Sequence, residues 1–280
     1  MKTGFILSFL CLLLSLSVCD SWDYKFPETW SREYPACGGQ TQSPINIVTS
    51  EAVPHQRLGN FTHSHLNKIP ERMTLKNNGH TVQVDLTDGF IIADDRLLPG
   101  VFQAAQFHLH WARRNGKGSE HSVNGQRYWG EIHIVLYNTK YEDLGTAADK
   151  PDGLAVLGFF ITDRVGSQNN GIGRIANIIS GGRAQHKGET VDIRPFPISY
   201  LLQQTPMDTY YRYKGSLTTP PCYESVTWTV FSQPISIKKI QAKVFEAIVY
   251  ENERGDPVKH IYDNYRPVQP LNKRTVNRHD

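Results

Sequence analysis

Eight consecutive residues, Leu154-Ala155-Val156-Leu157-Gly158-Phe159-Phe160-Ile161, carry no polar side chain. A run this short, opened by Asp152-Gly153, reads as a strand buried on both faces, because an exposed face would demand polar alternation. Such a strand needs a neighbour on each side and a cover on each face, so the chain must build a broad sheet. Thr81–Leu86 alternates with period two, and Phe107–Trp111, Glu131–Tyr137 and Ser225–Phe231 read as further strands. Turn signals such as Asn115-Gly116 and Asn124-Gly125 separate them at short intervals. Helical periodicity is confined to Ile172–Ser180 and Ile240–Tyr250, the second with Ile240, Val244, Phe245 and Ile248 on one face. No linker, low-complexity stretch or internal repeat interrupts the pattern. The expected fold is mixed but mainly β: a single domain over residues 20–280, with a large central twisted, mostly antiparallel sheet and a few short peripheral helices.

The 280 residues are 39% apolar and 20% charged, which excludes a disordered chain. Lys and Arg exceed Asp and Glu by only 30 to 27, and basic runs stop at pairs such as Arg113-Arg114. A nucleic-acid binder would show a basic stripe or tail, so that class is set aside. Lys2 precedes a leucine-rich run, Phe5 to Val18, of 14 residues. That is the length of a signal-peptide core and short of the roughly 20 residues of a spanning helix. Residues 1–19 are therefore expected to be a signal peptide, with an uncleaved anchor as the alternative; Val18 is too large for a lipoprotein site at Cys19. The C-terminal residues are polar, so no lipid-anchor signal is expected there. The mature protein should be secreted and extracellular, without a membrane anchor. Cys37 and Cys222 then remain, and in an oxidising compartment they are expected to form one disulfide, two separate buried thiols being the alternative. Asn60-Phe61-Thr62 is a glycosylation sequon, which points to a surface position at Asn60.

Chemistry concentrates in three histidines. His108 and His110 are two apart on a strand, so their side chains leave the same face. His133 sits on a second strand, separated from them by glycine-rich turn sequence. Two such strands side by side would aim three imidazoles at one point. Three neutral imidazoles suit zinc and leave its fourth position open, as in a catalytic site. Paired core histidines are the competing reading of His-x-His alone. Glu131, at the same-face position two before His133, is the right kind of acceptor for a ligand's remaining ring N–H.

Further motifs accompany these residues. They include Ser43-Pro44-Ile45-Asn46-Ile47, Asn78-Gly79-His80, Phe107-His108-Leu109-His110-Trp111, Gly118-Ser119-Glu120-His121 and Glu131-Ile132-His133. Asp152 to Gly158, Gly215-Ser216-Leu217-Thr218-Thr219-Pro220-Pro221-Cys222, Val226-Thr227-Trp228 and Arg266 to Leu271 follow in order. From about Trp22 to Arg274 the chain resembles the alpha-class carbonic anhydrases, in the type that is extracellular. The resemblance implies a twisted, mostly antiparallel sheet with a conical cleft ending at zinc (Zn2+), held by His108, His110 and His133. It implies that zinc-bound hydroxide attacks carbon dioxide to give bicarbonate and a proton, Thr218 accepting the hydroxide's hydrogen and donating its own to Glu120. Val135, Val156, Leu217 and Trp228 match the residues lining the substrate pocket, and Thr219 the contact for bicarbonate and anions. Gln106 and Glu131, with the carbonyl of Asn264, match the groups that orient the ligand imidazoles. His80 matches the proton shuttle, and an unperturbed imidazole pKa of about 6.5 suits that task. Tyr24, Asn78 and Gln83 match positions that hold the connecting waters, with Gln at the last where Asn is commoner. Cys37 and Cys222 match the family's extracellular disulfide. The other histidines, His121 among them, receive no role in the mechanism. Departures are few: Ala112 replaces a common Gly, Leu144 stands at an often aromatic cleft rim, and Tyr223 adjoins Cys222.

The expected partners are carbon dioxide and bicarbonate, with sulfonamides and anions as inhibitors at the zinc, and with no nucleic acid. A monomer is expected, a dimer being the alternative. The competing function is a non-catalytic extracellular adhesion or mineral-matrix module on the same fold. Adhesion-type relatives lose ligand histidines, whereas all three stand here, and no acidic or Gly-Asn-rich segment is visible. A zinc protease is disfavoured because the chain has no His-Glu-x-x-His helix.

Overall fold

The computed structural model describes residues 22–113, 117–163 and 168–280; the expected leader, Arg114 and the Asn115-Gly116 turn lie outside the described residues. Among the described residues the strands, in chain order, are β1 (Asn46–Ile47), β2 (Val53–Pro54), β3 (Arg72–Asn77), β4 (Val82–Thr87), β5 (Ile91–Ile92), β6 (Phe102–Trp111), β7 (Ser122–Val123), β8 (Gly130–Asn138), β9 (Leu154–Thr162), β10 (Thr190–Ile193), β11 (Tyr210–Gly215), β12 (Val226–Ser236) and β13 (Asn277–His279). Eleven of these form one sheet in the order β10-β3-β4-β6-β8-β9-β12-β11-β13-β2, with β5 attached to β6. The pairings are antiparallel except β9–β12 and β13–β2, so the sheet is mixed and mostly antiparallel. The chain is a single domain, mainly β, as its strand patterns imply.

The apolar run takes the place its composition demands. As β9 it lies between β8 and β12, and its side chains divide between two cores by strand alternation. Ala155, Leu157, Phe159 and Ile161 enter the larger core. Leu154, Val156 and Phe160 enter a smaller one on the opposite face. Each fully buried Phe or Ile here contributes about 1.5–3 kcal/mol relative to exposure. β8 and β6 follow the same division. Ile132, Ile134 and Leu136, with Phe107, Leu109 and Trp111, face the larger core, which leaves His133, His108 and His110 on the other face. All three histidines thus share a face for the same reason that their neighbours are apolar.

β6 begins at Phe102, five residues before its legible alternation. Its register against β8 shifts between Ala104 and Gln106, and this bulge breaks the period-two pattern in sequence. Short helices sit at the periphery: α1 (Leu144–Ala147), α2 (Asn170–Ser180), α3 (Ser199–Leu202) and α4 (Lys239–Ile248). The expected face of α4 is corrected. Ile240 is 68% exposed, and the helix buries Gln241, Ala242 and Phe245 instead, with Val244 and Ile248 half-buried. Gln241 is drawn inward by polar pairing: its amide donates to Asn169 O (2.7 Å) and accepts from Asn169 N (3.1 Å). Asn169 in turn caps α2 through Ile172 N (2.8 Å). Among the described residues no helix is long and apolar enough to cross a membrane. Asn60 is exposed beside the buried Phe61. Cys37 and Cys222 are joined in a disulfide across 185 residues.

Candidate active site

The antiparallel pairing of β6 with β8 sets His108 directly opposite His133 and His110 opposite Glu131. The three rings meet with centroids 5.0 Å (His108–His110), 5.2 Å (His108–His133) and 4.5 Å (His110–His133) apart. One nitrogen from each lies within 4.8 Å of the others.

Hydrogen bonds identify those nitrogens. His110 Nδ1 lies 2.7 Å from the Asn264 carbonyl, which only accepts, so Nδ1 carries the proton and Nε2 keeps a lone pair. His108 Nδ1 donates in the same way to Gln106 Oε1 (2.9 Å), again leaving Nε2. His133 is reversed: its Nε2 donates to Glu131 Oε1 (2.8 Å), so Nδ1 points at the other two. Burial first, then the neighbouring His110 and His133, holds His108 well below the ordinary imidazole pKa, and burial lowers that of His110 against the opposing pull of Glu120. These are neutral rings with converging lone pairs. Buried His110 Nε2 has no hydrogen-bond partner, an orphan that a cation would satisfy. The donor set fits zinc, and the remaining ring nitrogens are held by three different acceptors.

Glu131 is fully buried and central to a chain that sequence reasoning reached only in part. Its carboxylate also accepts from His121 Nδ1 (2.7 Å) and His121 N (2.8 Å). Burial raises its pKa, but His121 and His133 beside it overcome this and hold it well below the usual carboxylate range. His121 Nε2 then accepts from the Tyr213 hydroxyl (2.7 Å), which meets Ser43 Oγ (2.9 Å). Burial pushes the Tyr213 phenol well up, so it keeps its proton and donates. His121, expected to take no role in the mechanism, belongs to this hydrogen-bond network, holding Glu131 through both Nδ1 and N. Another grouping, His121 with Glu131 and His133, also has metal-like spacing. Its nitrogens already donate to the carboxylate, so it is a hydrogen-bond triad.

A glycine makes this packing feasible. Gly158 on β9 pairs with His133, and a Cβ there would stand 3.1 Å from Glu131 Oε1 and 3.6 Å from the Trp228 ring. The apolar run therefore contains Gly where the carboxylate passes.

Glu120 is also fully buried. Its Oε1 accepts from Arg266 N (2.8 Å), while Oε2 lies 3.5 Å from His110 Nε2 and 3.8 Å from His133 Nδ1. Oε2 has no hydrogen-bond partner, so the bond from Thr218 that the resemblance implies is not made in this structure; the carboxylate faces the two imidazole nitrogens instead. Arg266 opens the Arg266 to Leu271 motif. Its buried guanidinium donates to Gln42 Oε1 (2.7 Å), Ser43 O (2.9 Å) and Cys37 O (2.8 Å), and burial pushes its pKa down to about 10.

The histidines form the floor of a cleft of about 380 Å³. One wall is apolar: Val135, Leu144, Leu154, Val156, Leu217 and Trp228. Val135, Val156 and Trp228 are cross-strand neighbours on β8, β9 and β12, so the sheet register itself builds this wall. The other wall carries Tyr24, Asn78, His80, Gln83, Gln106, Thr218 and Thr219. Thr218 and Thr219 come from the turn between β11 and β12, closed by Cys222 N–H donating to Thr219 O (2.8 Å) and anchored by the disulfide. Asn78 Nδ2 donates to Gln83 Oε1 (3.3 Å), and Asn78 Oδ1 accepts from His80 N (2.9 Å). The His80 ring stacks on Trp22, centroids 3.8 Å apart and planes 9° from parallel. Tyr24 stands edge-on to it at 6.5 Å. Burial, then the Glu120 charge, raises the Tyr24 phenol well above its ordinary pKa, so it remains a hydroxyl. Every residue expected to line the cleft does so, while Glu120 and Glu131 stand behind its floor.

Comparison with known proteins agrees with this geometry. Residues 25–280 match the family pattern described as eukaryotic-type carbonic anhydrase. The chain is 37% identical over 257 residues to carbonic anhydrase 7 of Homo sapiens, covering 89% of this chain and 92% of that one. A cleft floored by three converging imidazoles and a match of this extent lead to one conclusion: the chain belongs to the eukaryotic-type, alpha-class carbonic anhydrase family and is a carbonic anhydrase.

Proposed function

We propose that this protein catalyses the reversible hydration of carbon dioxide to bicarbonate and a proton, as a zinc enzyme of the secreted type. The observation that carries the reading is the convergence of His108 Nε2, His110 Nε2 and His133 Nδ1, each with its second nitrogen already engaged. These three atoms would hold zinc. When bound, zinc supplies a Lewis acid that brings the pKa of water from 15.7 to about 7.

The chain's own residues divide the remaining work. Val135, Val156, Leu217 and Trp228 offer an apolar resting place for carbon dioxide, a small molecule without a net dipole. Thr218 and Thr219 line the same cleft, Thr219 as the contact for bicarbonate. Glu120 Oε2, a buried acceptor without a hydrogen-bond partner here, would take the Thr218 proton in the working site and so fix the direction of the Thr218 lone pairs. Arg266 N–H holds Glu120 in place for this. Each hydration releases one proton. His80, lining the cleft beside Trp22 and Tyr24, takes it outward, with Tyr24, Asn78 and Gln83 holding the intervening waters. A signal peptide over residues 1–19, an extracellular address and a glycan on exposed Asn60 complete the reading.

The test is zinc content measured together with carbon dioxide hydration on the purified protein. About one zinc per chain with activity is expected, and His133→Ala should lose both. Full activity in that variant would overturn the assignment.

A further inference from the structure

Away from the catalytic cleft, three cations surround a surface cavity of about 400 Å³ that shares no lining residue with it. Arg212 and Lys214 lie two apart on β11, hence on one face, and Arg274 approaches from the segment before β13. Their hydrogen bonds all go to neutral acceptors. Arg212, only 8% exposed, donates to Thr229 Oγ1 (3.0 Å) and to Leu97 O. Lys214 Nζ donates to Thr227 Oγ1 (2.7 Å). Arg274 donates to the carbonyls of Leu271, Lys214 and Pro270.

Among the described residues no carboxylate forms an ion pair with any of the three. Asp152 and Glu224 act on Lys214 and Arg274 only at longer range. Both are engaged elsewhere, Asp152 by Lys140 and Tyr141 and Glu224 by Thr41 and Gln42. Burial pushes Arg212 down to about 10, and burial followed by the Arg212 charge lowers Lys214. A buried cation without a counter-charge, reinforced by two more, is a costly arrangement for a structure to keep. An anion in the cavity would relieve it, and guanidinium forks suit oxyanions.

One carboxylate, Asp95, lines the same cavity, with Oδ1 accepting from Gly100 N (3.2 Å). It would repel a fully deprotonated anion but accept a hydrogen bond from an anion's hydroxyl. We propose that this cavity binds a small hydroxyl-bearing oxyanion, hydrogen phosphate or bicarbonate, its charged oxygens toward Arg212, Lys214 and Arg274 and its hydroxyl toward Asp95.

The test is isothermal titration of the zinc-loaded enzyme, its cleft filled with an aromatic sulfonamide, against inorganic phosphate, bicarbonate and sulfate at near-neutral pH. One saturable site per chain is expected for phosphate or bicarbonate, the tighter of the two naming the source, with sulfate weaker by about tenfold. Lys214→Gln with Arg274→Gln should weaken binding by at least about tenfold while carbon dioxide hydration shows the variant folded. Arg212→Gln should do the same where it folds. Asp95→Asn should remove the preference over sulfate. Absence of saturable binding, or binding unchanged in the Lys214/Arg274 double variant, would overturn the site. Sulfate binding as tightly as phosphate would overturn the role of Asp95.

Discussion

Glu131→Gln removes one charge from the buried network and changes almost nothing in shape, so its effect isolates the carboxylate. The carboxylate accepts three N–H donors, from His133 Nε2, His121 Nδ1 and His121 N. An amide cannot serve all three. With its oxygen toward the two rings, its NH2 faces the His121 backbone N–H. With its NH2 toward the rings, His133 must accept at Nε2 and carry its proton on Nδ1, the nitrogen that faces the other ligands. The first orientation leaves a donor against a donor in a fully buried place, which costs about 1–3 kcal/mol. The second competes with the metal, and loss of such an orienting group lowers metal affinity by about 10–100-fold. The expected outcome is a Glu131→Gln protein that folds with lower stability and releases zinc to a competing chelator at about 10–100 times lower chelator concentration. Its kcat/KM should be restored toward wild type by excess zinc only in part, because the wrong His133 tautomer persists. Zinc affinity within twofold of wild type, measured by chelator competition, would show that Glu131 does not set the His133 tautomer and would refute the reasoning.

Three further outcomes are expected. His80→Ala should lower kcat for hydration in weak buffer by about one to two orders of magnitude while sparing kcat/KM, and imidazole buffer should restore it; loss of kcat/KM without rescue would make His80 structural. Val156→Phe places a ring on the apolar wall beside Val135 and Trp228, so kcat/KM should fall by more than about tenfold with zinc content unchanged; an unaltered kcat/KM would remove that wall from substrate binding. At the half-exposed Glu189, burial raises the pKa but hydrogen bonds from Arg254, His186 N and Gln185 N lower it overall. A folded pKa below the unfolded value of about 4.3 means stabilisation that is present above that pH and lost as pH falls through the lower folded value. The melting-temperature gap between wild type and Glu189→Gln should therefore close on acidification below about pH 4; a gap independent of pH would show that the charge contributes nothing.

Much of the fold was legible because it follows from local pattern. An eight-residue apolar run has one comfortable place, the middle of a sheet covered on both faces, and β9 occupies it. Alternation located β4, β8 and β12 to within a few residues. Where alternation failed, the cause is physical. The bulge between Ala104 and Gln106 hid half of β6. In α4, Ile240 turns outward and Gln241 inward while Val244, Phe245 and Ile248 keep to the core, because the Gln241–Asn169 pair satisfies polar groups that burial would otherwise penalise.

The site divides along the same line. Spacing alone places His108 and His110 on one face, and strand separation allows His133 to join them. Sequence also names Glu131 as an acceptor two residues before His133. What no spacing contains is approach across long stretches of chain: His110 Nδ1 reaches the carbonyl of Asn264, 154 residues away, and Arg266 N–H reaches Glu120 across 146. The same holds for His121, a neighbour of Glu120 in the chain whose partner is Glu131, fixed only when β8 packs beside that loop and Tyr213 closes the chain from β11. Periodicity is a property of adjacent residues, so sequence by itself determined the sheet and the set of converging imidazoles. The choice of which nitrogen of each imidazole is left free depends on acceptors brought in by distant segments, and only the tertiary structure decided it.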